Sequence, residues 1–101
     1  MIAKKEARKL VMEEILRSWS IENDEPVILD ELTIEKDFGW GFFYNSRKFV
    51  KTEEFSYMIL GNAPIIVNKF DSSLHHTGTT YATEHYITEY EINLKDKTSN
   101  Y

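Results

Sequence analysis

The sequence predicts a two-layer α+β domain, in which an antiparallel sheet of about four or five strands carries an N-terminal helix and a short C-terminal helix. Three patterns support this fold class. Apolar residues recur at three- and four-residue steps over residues 3–19, as they do on one face of an amphipathic helix. Residues 40–45 alternate between two faces as a strand does, and residues 64–69 contain a β-branched run typical of a buried strand.

The composition of the chain is that of one folded domain. Its 101 residues are 42% hydrophobic and 14% aromatic, which excludes a disordered chain. There is no cysteine, so disulfides, thiolate zinc sites and thiol nucleophiles are excluded. No apolar run approaches the ~20 residues that a membrane helix needs, and the charged N-terminal segment is unlike a signal peptide. We therefore expect a soluble, cytoplasmic domain over residues 1–94, followed by a flexible tail over residues 95–101.

The first helix is predicted to run from Ala3 to Arg17 or Trp19. Its apolar stripe is too short for a coiled coil, so we expect the helix to lie across the sheet. Lys9 and Glu13 are spaced for an ion pair on the helix surface, which contributes only a few tenths of a kcal/mol. The stripe consists of Ala7, Leu10, Val11, Ile15 and Trp19.

A hairpin is predicted from two strands, residues 27–35 and residues 40–45. The apolar residues of the first strand change phase at residues 30–31, which a bulge would explain. On the second strand, three alternating aromatic residues share the face that we expect to lie under the first helix. Phe43 points to the other face and Phe38 lies in the turn, so both are predicted to be exposed. The shared face consists of Trp40, Phe42 and Tyr44.

Residues 46–60 do not follow one period. Residues 48–50 could continue the preceding strand or form a short edge strand, and residues 55–60 fit an aromatic-rich connection with up to one helical turn. Further along the chain, residues 74–77 are predicted to form a strand. A second helix is predicted from Ala82 to Tyr90 or Glu91, with its apolar side chains on one face.

The strand over residues 64–69 is expected at the centre of the sheet, because its apolar run leaves no polar face. Pro64 cannot donate a ladder hydrogen bond, so it fits best as the first residue of this strand. Gly61 permits backbone angles that other residues avoid. We expect Gly61, Asn62 and Pro64 to shape the start of the strand rather than to form a binding site.

An acidic block spans residues 19–38, where seven acidic side chains stand against Lys36 alone for a net charge of −6. Phosphate requires a basic footprint, so this block argues against a nucleic-acid partner. It suits electrostatic steering towards a basic protein, and a purely solubilising surface explains it equally well. If the block steers a partner, the predicted partner-binding residues are Asp24, Glu25, Asp30, Glu31, Glu35, Asp37, Phe38 and Phe43.

No constellation of catalytic or metal-ligating residues stands out in the sequence. His75 and His76 are adjacent on a strand and point to opposite faces, so they cannot hold one metal ion together. Nearly all of the carboxylates lie between polar neighbours, unlike the buried, perturbed member of an acid–base pair. Gly39 and Gly41 precede strand residues rather than a helix, unlike the glycines of a phosphate loop. We therefore expect no enzymatic activity, no bound metal and no cofactor.

Several short motifs follow one another in a recognisable order. They are Gly39-Trp40, Phe42, Tyr44, Leu60-Gly61-Asn62-Ala63-Pro64-Ile65-Ile66-Val67, Gly78-Thr79, Tyr86-Ile87 and Tyr90. Their order and spacing resemble those of the YrhB-like immunity proteins, the immunity protein 35 family, over residues 3–92. The most specific part is the Gly-Asn-x-Pro motif followed by a β-branched strand. One departure lies at residues 70–73, where relatives usually place a glycine in the hairpin turn.

The resemblance implies a cytoplasmic protein that binds and neutralises a cognate toxin delivered between bacteria, without catalysis and without a cofactor. Because some relatives are described as chaperone-like, a general holdase that binds unfolded clients is the alternative. We hypothesise that the acidic block and the first hairpin occlude the toxin, with carboxylates for steering and aromatic rings as anchors. We expect neither nucleic acid nor membrane as a partner, and the oligomeric state stays open.

Overall fold

A computed structural model describes residues 1–59 and 62–99 and confirms the predicted α+β fold class. Leu60 and Gly61 lie outside the described residues, and so does the prediction made for Gly61. The elements in chain order are α1 (Lys4–Ser18), β1 (Pro26–Ile28), a 3-10 turn (Asp30–Leu32), β2 (Ile34–Lys36), β3 (Gly39–Phe42), β4 (Tyr44–Ser46), α2 (Arg47–Thr52), a second 3-10 turn (Phe55–Tyr57), β5 (Ile65–Asn68), β6 (Leu74–His76) and α3 (Thr83–Ser99).

A four-stranded antiparallel sheet in the order β2-β3-β5-β6 forms the body of the domain, and a second sheet pairs β1 with β4. All four residues of β5 are buried, which confirms the predicted central strand. Ile65, Ile66 and Val67 are 1%, 2% and 0% exposed. Burial of each of these side chains contributes about 1.5–3 kcal/mol of hydrophobic stabilisation. Pro64 directly precedes β5, where its missing N–H removes no ladder hydrogen bond.

Two hydrophobic clusters lie on opposite faces of the four-stranded sheet, because neighbouring residues of β5 point in opposite directions. Ile65 and Val67 pack with α1, whereas Ile66 packs with α3. The domain therefore has three layers (helix, sheet and helix), and the prediction of two layers is wrong. The first cluster contains Ala7, Val11, Ile15, Ile28, Phe42, Ile65 and Val67, and the second contains Phe38, Ile66 and Ile87.

Helix α3 continues to Ser99, beyond the predicted end at Tyr90 or Glu91. Its apolar face is longer than expected because Leu94 also packs against the second cluster. The part of the predicted tail that the structure describes is therefore helical. The flexibility predicted for residues 95–101 stays a prediction, and the last two residues lie outside the described chain.

The predicted hairpin forms, but it is divided into two parts. β1 pairs with β4 and β2 pairs with β3, and a 3-10 turn over residues 30–32 separates β1 from β2. The phase change expected at this point is real, but the 3-10 turn produces it and the predicted bulge is wrong. The Leu29 N–H donates to the Phe43 carbonyl at 2.8 Å and joins the two parts. The aromatic residues that pack under α1 are Trp40, Phe42 and Tyr44, as predicted.

Residues Arg47–Thr52 form helix α2, so the prediction of a strand over residues 48–50 is wrong. The hydroxyl of Ser46 caps this helix by accepting the N–H of Phe49 at 3.0 Å. The helical turn predicted in the following connection is present as the 3-10 turn Phe55–Tyr57.

The turn between β5 and β6 holds Ser72 in the left-handed region, with φ of 63°. Glycine adopts this region without steric cost, which explains why relatives are expected to carry a glycine in this turn. The side-chain oxygen of Asn68 stabilises the turn by accepting the N–H groups of Phe70 at 2.9 Å and Asp71 at 3.3 Å. The hairpin between β5 and β6 therefore forms with a serine at this position of the turn.

Candidate functional site

The acidic block lies along β1, the first 3-10 turn and β2, and several of its carboxylates pair with cations of the same chain. Asp30 accepts two hydrogen bonds from the guanidinium group of Arg8, at 2.7 and 3.1 Å. Glu35 pairs with Lys4 at 2.8 Å. The hydrogen bonds from Arg8 lower the pKa of Asp30 below its ordinary value. The basic side chains of α1 thus neutralise part of the block.

Two residues near the start of the acidic block, Asp24 and Glu25, contact helix α2. Glu25 pairs with Arg47 at 2.9 Å. The carboxylate of Asp24 accepts the N–H of Glu25 at 2.8 Å and that of Lys48 at 3.2 Å. Burial raises the pKa of Asp24, but hydrogen bonds to the carboxylate outweigh it and hold the pKa below its ordinary value. Asp24 therefore has a structural role, because it fixes the first turn of α2 against the segment before β1.

Glu31 and Asp37 carry the unneutralised charge of the predicted set. Both side chains are exposed, and within residues 1–59 and 62–99 neither forms an ion pair. A carboxylate without a partner in its own chain is free to attract a basic group of another protein. These two residues are therefore the members of the block most available to a partner.

The two aromatic residues predicted to be exposed are more buried than expected. Phe38 is 6% exposed and belongs to the second hydrophobic cluster, where it meets Tyr90 edge-on with ring centroids 4.8 Å apart. The exposure predicted for Phe38 is wrong because α3 covers the face of the sheet towards which the turn points. Phe43 is half-buried, so only part of its ring can reach a partner.

Residues 51–57, called here the 51–57 segment, form an exposed surface that lies outside the predicted set of partner-binding residues. Every side chain in this segment is exposed, and Phe55 is 80% exposed. Its ring centroid lies 6.3 Å from that of Phe49, and Val50 on α2 is also exposed. The sequence did contain a signal, since two glutamates precede Phe55 and a serine follows it. A large apolar residue between polar neighbours is a poor candidate for a core position.

Polar side chains fasten the polypeptide around the 51–57 segment to β4. The side-chain oxygen of Asn45 accepts the N–H of Ile59 at 3.0 Å. Asn62, from the Gly-Asn-x-Pro motif, donates its side-chain amide to the Tyr44 carbonyl. Asn62 thus has the structural role expected for it before β5. Its hydrogen bond also holds the end of the connection that carries the exposed aromatic residues against β4.

His75 and His76 contact different partners on the two faces of the sheet. His75 lies 2.7 Å from the Ser73 hydroxyl, and its ring centroid lies 4.8 Å from that of Tyr90, whereas His76 lies 2.8 Å from Glu14 on α1. Their opposite orientations were predicted. The hydrogen bond with His76 lowers the pKa of Glu14. No group of three or more metal-ligating side chains is found in the part of the chain that the structure describes.

The fold and its surface define a small three-layer α+β protein whose exposed carboxylates and aromatic rings suit contact with another protein. No helix within the described ranges is long and apolar enough to cross a membrane. The model of the family described as Immunity protein 35 matches residues 5–91, and the chain belongs to this family. It is similar to the uncharacterized protein YrhB of Escherichia coli strain K12, with 35% identity over 71 residues, 68% of this chain and 72% of the relative. No solved structure matches the chain.

Proposed function

We propose that this protein is an immunity protein that binds a cognate bacterial toxin and neutralises it by occlusion, without catalysis and without a cofactor. The observation that carries the proposal is the family match over residues 5–91, which includes every strand and part of both long helices. In this proposal the complex forms in the cytoplasm of the cell that produces the toxin. The acidic surface supports it, since a basic toxin surface would be electrostatically complementary.

The acidic block acts mainly on the rate of association, because exposed charges steer a partner more than they strengthen the final complex. Glu31 and Asp37 can pair with toxin cations without first breaking an ion pair of their own chain. The exposed ion pairs of Asp30 and Glu35 are worth about 0–1 kcal/mol each, so toxin cations can replace the cations of α1 at small cost. The accessible part of Phe43 adds an apolar contact at the same hairpin.

Reversing the charge of the two unpartnered carboxylates tests this surface. In this proposal the toxin is the product of the gene adjacent to that of the immunity protein. The double variant Glu31→Lys/Asp37→Lys is expected to bind this gene product with an association rate about tenfold lower at low salt. Its rate should also depend less on salt. Reversal of Asp30 or Glu35 is less informative, because either change would also break an ion pair with α1.

The matched control is Glu13→Lys/Glu84→Lys, which changes the net charge equally outside the block. Both control residues are exposed, and across residues 1–59 and 62–99 neither takes part in an ion pair. The Lys9–Glu13 pair that the helical spacing allows is therefore not formed. Association rates are measured by surface plasmon resonance at low and at physiological ionic strength. An unchanged rate at low salt, or an equal loss in both double variants, would refute the acidic surface. Failure of the wild-type protein to bind the adjacent gene's product would refute the toxin partner.

The general holdase considered from the sequence has no support from the family match. A holdase binds many unfolded clients through a large exposed apolar patch. Suppression of the aggregation of unrelated proteins, measured alongside the binding assay, separates that activity from recognition of one toxin.

A further inference from the structure

The four-stranded sheet has two edges, β2 and β6, and charged residues protect only the first. β2 carries Glu35 and Lys36, and Glu31 and Asp37 flank it. Charged side chains on an edge strand, lysine above all, hinder its pairing with a strand of another molecule. By contrast, residues 72–83, which include β6, contain no Lys, Arg, Asp, Glu or Pro. β6 is therefore the edge at which this sheet can accept a further strand.

Two carboxylates that lie near β6 are already engaged. Glu14 on α1 lies 2.8 Å from His76 and also pairs with Arg17. Asp71, in the turn before β6, accepts the hydroxyl of Ser73 at 2.6 Å. The two histidines of β6 add no formal charge at pH 7. Because opposite charges attract and like charges repel across paired strands, a strand without charges favours an uncharged partner strand.

The register of the sheet shows which backbone groups of β6 face outward. The N–H of Asn68 donates to the Ser73 carbonyl at 3.0 Å. Because bonded residues alternate along an antiparallel strand, His75 also faces β5, whereas the N–H and C=O groups of Leu74 and His76 face the free edge. Among the described residues β6 pairs only with β5, and no other hydrogen bond to these outward groups is found. The outward groups can therefore bond to another strand.

We infer that β6 pairs antiparallel with β6 of a second copy of this chain, across a two-fold axis at His75. In this register Leu74 of each copy exchanges two backbone hydrogen bonds with His76 of the other copy. Ser73 lies opposite Thr77, and no like charges face each other. The two pairs supply only about four hydrogen bonds, so the dimer is weak and forms in a concentration-dependent way.

The dimer joins two four-stranded sheets into one continuous sheet. β2 and β6 are opposite edges of each sheet, so the acidic block stays free at both ends of the joined sheet. The surface proposed for the toxin is therefore present twice and is not covered by the second copy. The inference does not rest on the proposed function, because it concerns only the pairing of this chain with itself.

A cysteine at position 75 tests the pairing, because the chain has no native cysteine. Residues that face each other in a non-hydrogen-bonded antiparallel pair have Cα atoms about 4.5 Å apart, a distance that a disulfide spans. His75→Cys should therefore form a disulfide-linked dimer under mild oxidation.

Lys51→Cys is the matched control for cross-linking by random collision. Lys51 lies on α2, which packs against β1 and β4, and its side chain is exposed whereas that of His75 is half-buried. Random collision would cross-link the control at least as fast as His75→Cys. The pairing of β6 instead predicts that His75→Cys cross-links about tenfold faster or more, because the paired strands raise the effective concentration of the two thiols.

Sedimentation equilibrium of the wild-type protein measures the dimer without any substitution. The apparent mass should rise from that of the monomer towards twice that value between about 10 µM and 1 mM. His75→Lys places two like charges opposite each other at the two-fold axis and should keep the protein monomeric over the same range. Thermal unfolding midpoints close to that of the wild type verify that the variants are folded.

The outcomes separate the dimer from its assignment to β6. A wild-type protein that stays monomeric up to about 1 mM refutes the dimer. If the wild type dimerises but His75→Cys cross-links no faster than Lys51→Cys, or His75→Lys still dimerises, the two copies meet elsewhere and the assignment to β6 is wrong. Neither result bears on the toxin partner, which is tested separately by binding to the adjacent gene's product.

Discussion

Replacing Gly39 by alanine tests how closely β3 and β5 must approach each other. Gly39 has φ of 147°, a backbone conformation that side chains with a Cβ rarely adopt. A Cβ placed on Gly39 would lie 2.0 Å from the carbonyl oxygen of Val67. This oxygen belongs to the backbone of the central strand, so it cannot move away without disturbing the pairing of the two strands.

The cost of Gly39→Ala has two contributions. Backbone strain costs about 1–3 kcal/mol, and overpacking against a rigid neighbour costs about 1–3 kcal/mol. The free energy of unfolding of a small domain is about 5–15 kcal/mol, so the combined loss is a large fraction of the total. For a domain of this size, each kcal/mol lost from the free energy of unfolding lowers the thermal unfolding midpoint by about 4–8 °C. We expect the thermal midpoint to fall by about 10 °C or more.

Gly41→Ala is the control, because Gly41 lies on the same strand with room for a methyl group. The nearest atoms to its added Cβ are Ile34 Cβ and Ile87 Cδ1, both at the ordinary contact distance of 3.7 Å. Its free energy of unfolding should change by less than about 1 kcal/mol. Thermal and urea unfolding followed by circular dichroism measure both variants. A midpoint for Gly39→Ala within a few degrees of the wild type would show that the close approach is not required.

Two further predictions concern individual hydrogen bonds. Asn62→Ala removes the amide that donates to the Tyr44 carbonyl. We expect the free energy of unfolding, measured with urea, to fall by about 1–3 kcal/mol and the backbone amides of the 51–57 segment to exchange faster. Unchanged exchange would argue against the role of Asn62 in holding this connection against β4. Because the pKa of Asp30 is lower in the folded protein, its ion pair stabilises the fold above the unfolded pKa of about 3.9 and loses this effect as the pH falls through the folded value. Arg8→Gln should therefore reduce the acid dependence of stability below about pH 4 by about 0.2–1 kcal/mol, a small amount because both groups are exposed. Identical pH profiles of the two proteins would contradict this assignment.

Local sequence patterns are sufficient to predict a helix or strand when its apolar residues all lie on one face. The helical spacing of Ala7, Val11 and Ile15 predicts the buried face of α1, and the structure confirms it. The start of α2 also has a local cause, the Ser46 cap, although residues 46–60 follow no single period and residues 48–50 fit a strand in sequence. A capping serine in front of a short polar segment was the more informative signal.

The sequence alone was enough for the fold class, the central position of β5, the opposite orientations of the two histidines and the resemblance to the family. Each of these follows from local patterns or from their order along the chain. The tertiary structure alone decided that Phe38 is buried, that Asp30 and Glu35 pair with α1, and that Phe55 remains exposed. The physical reason is that burial and ion pairing depend on which distant elements cover a residue. Here α3 covers the turn at Phe38, α1 supplies the cations, and no element in the described part of the chain buries Phe55.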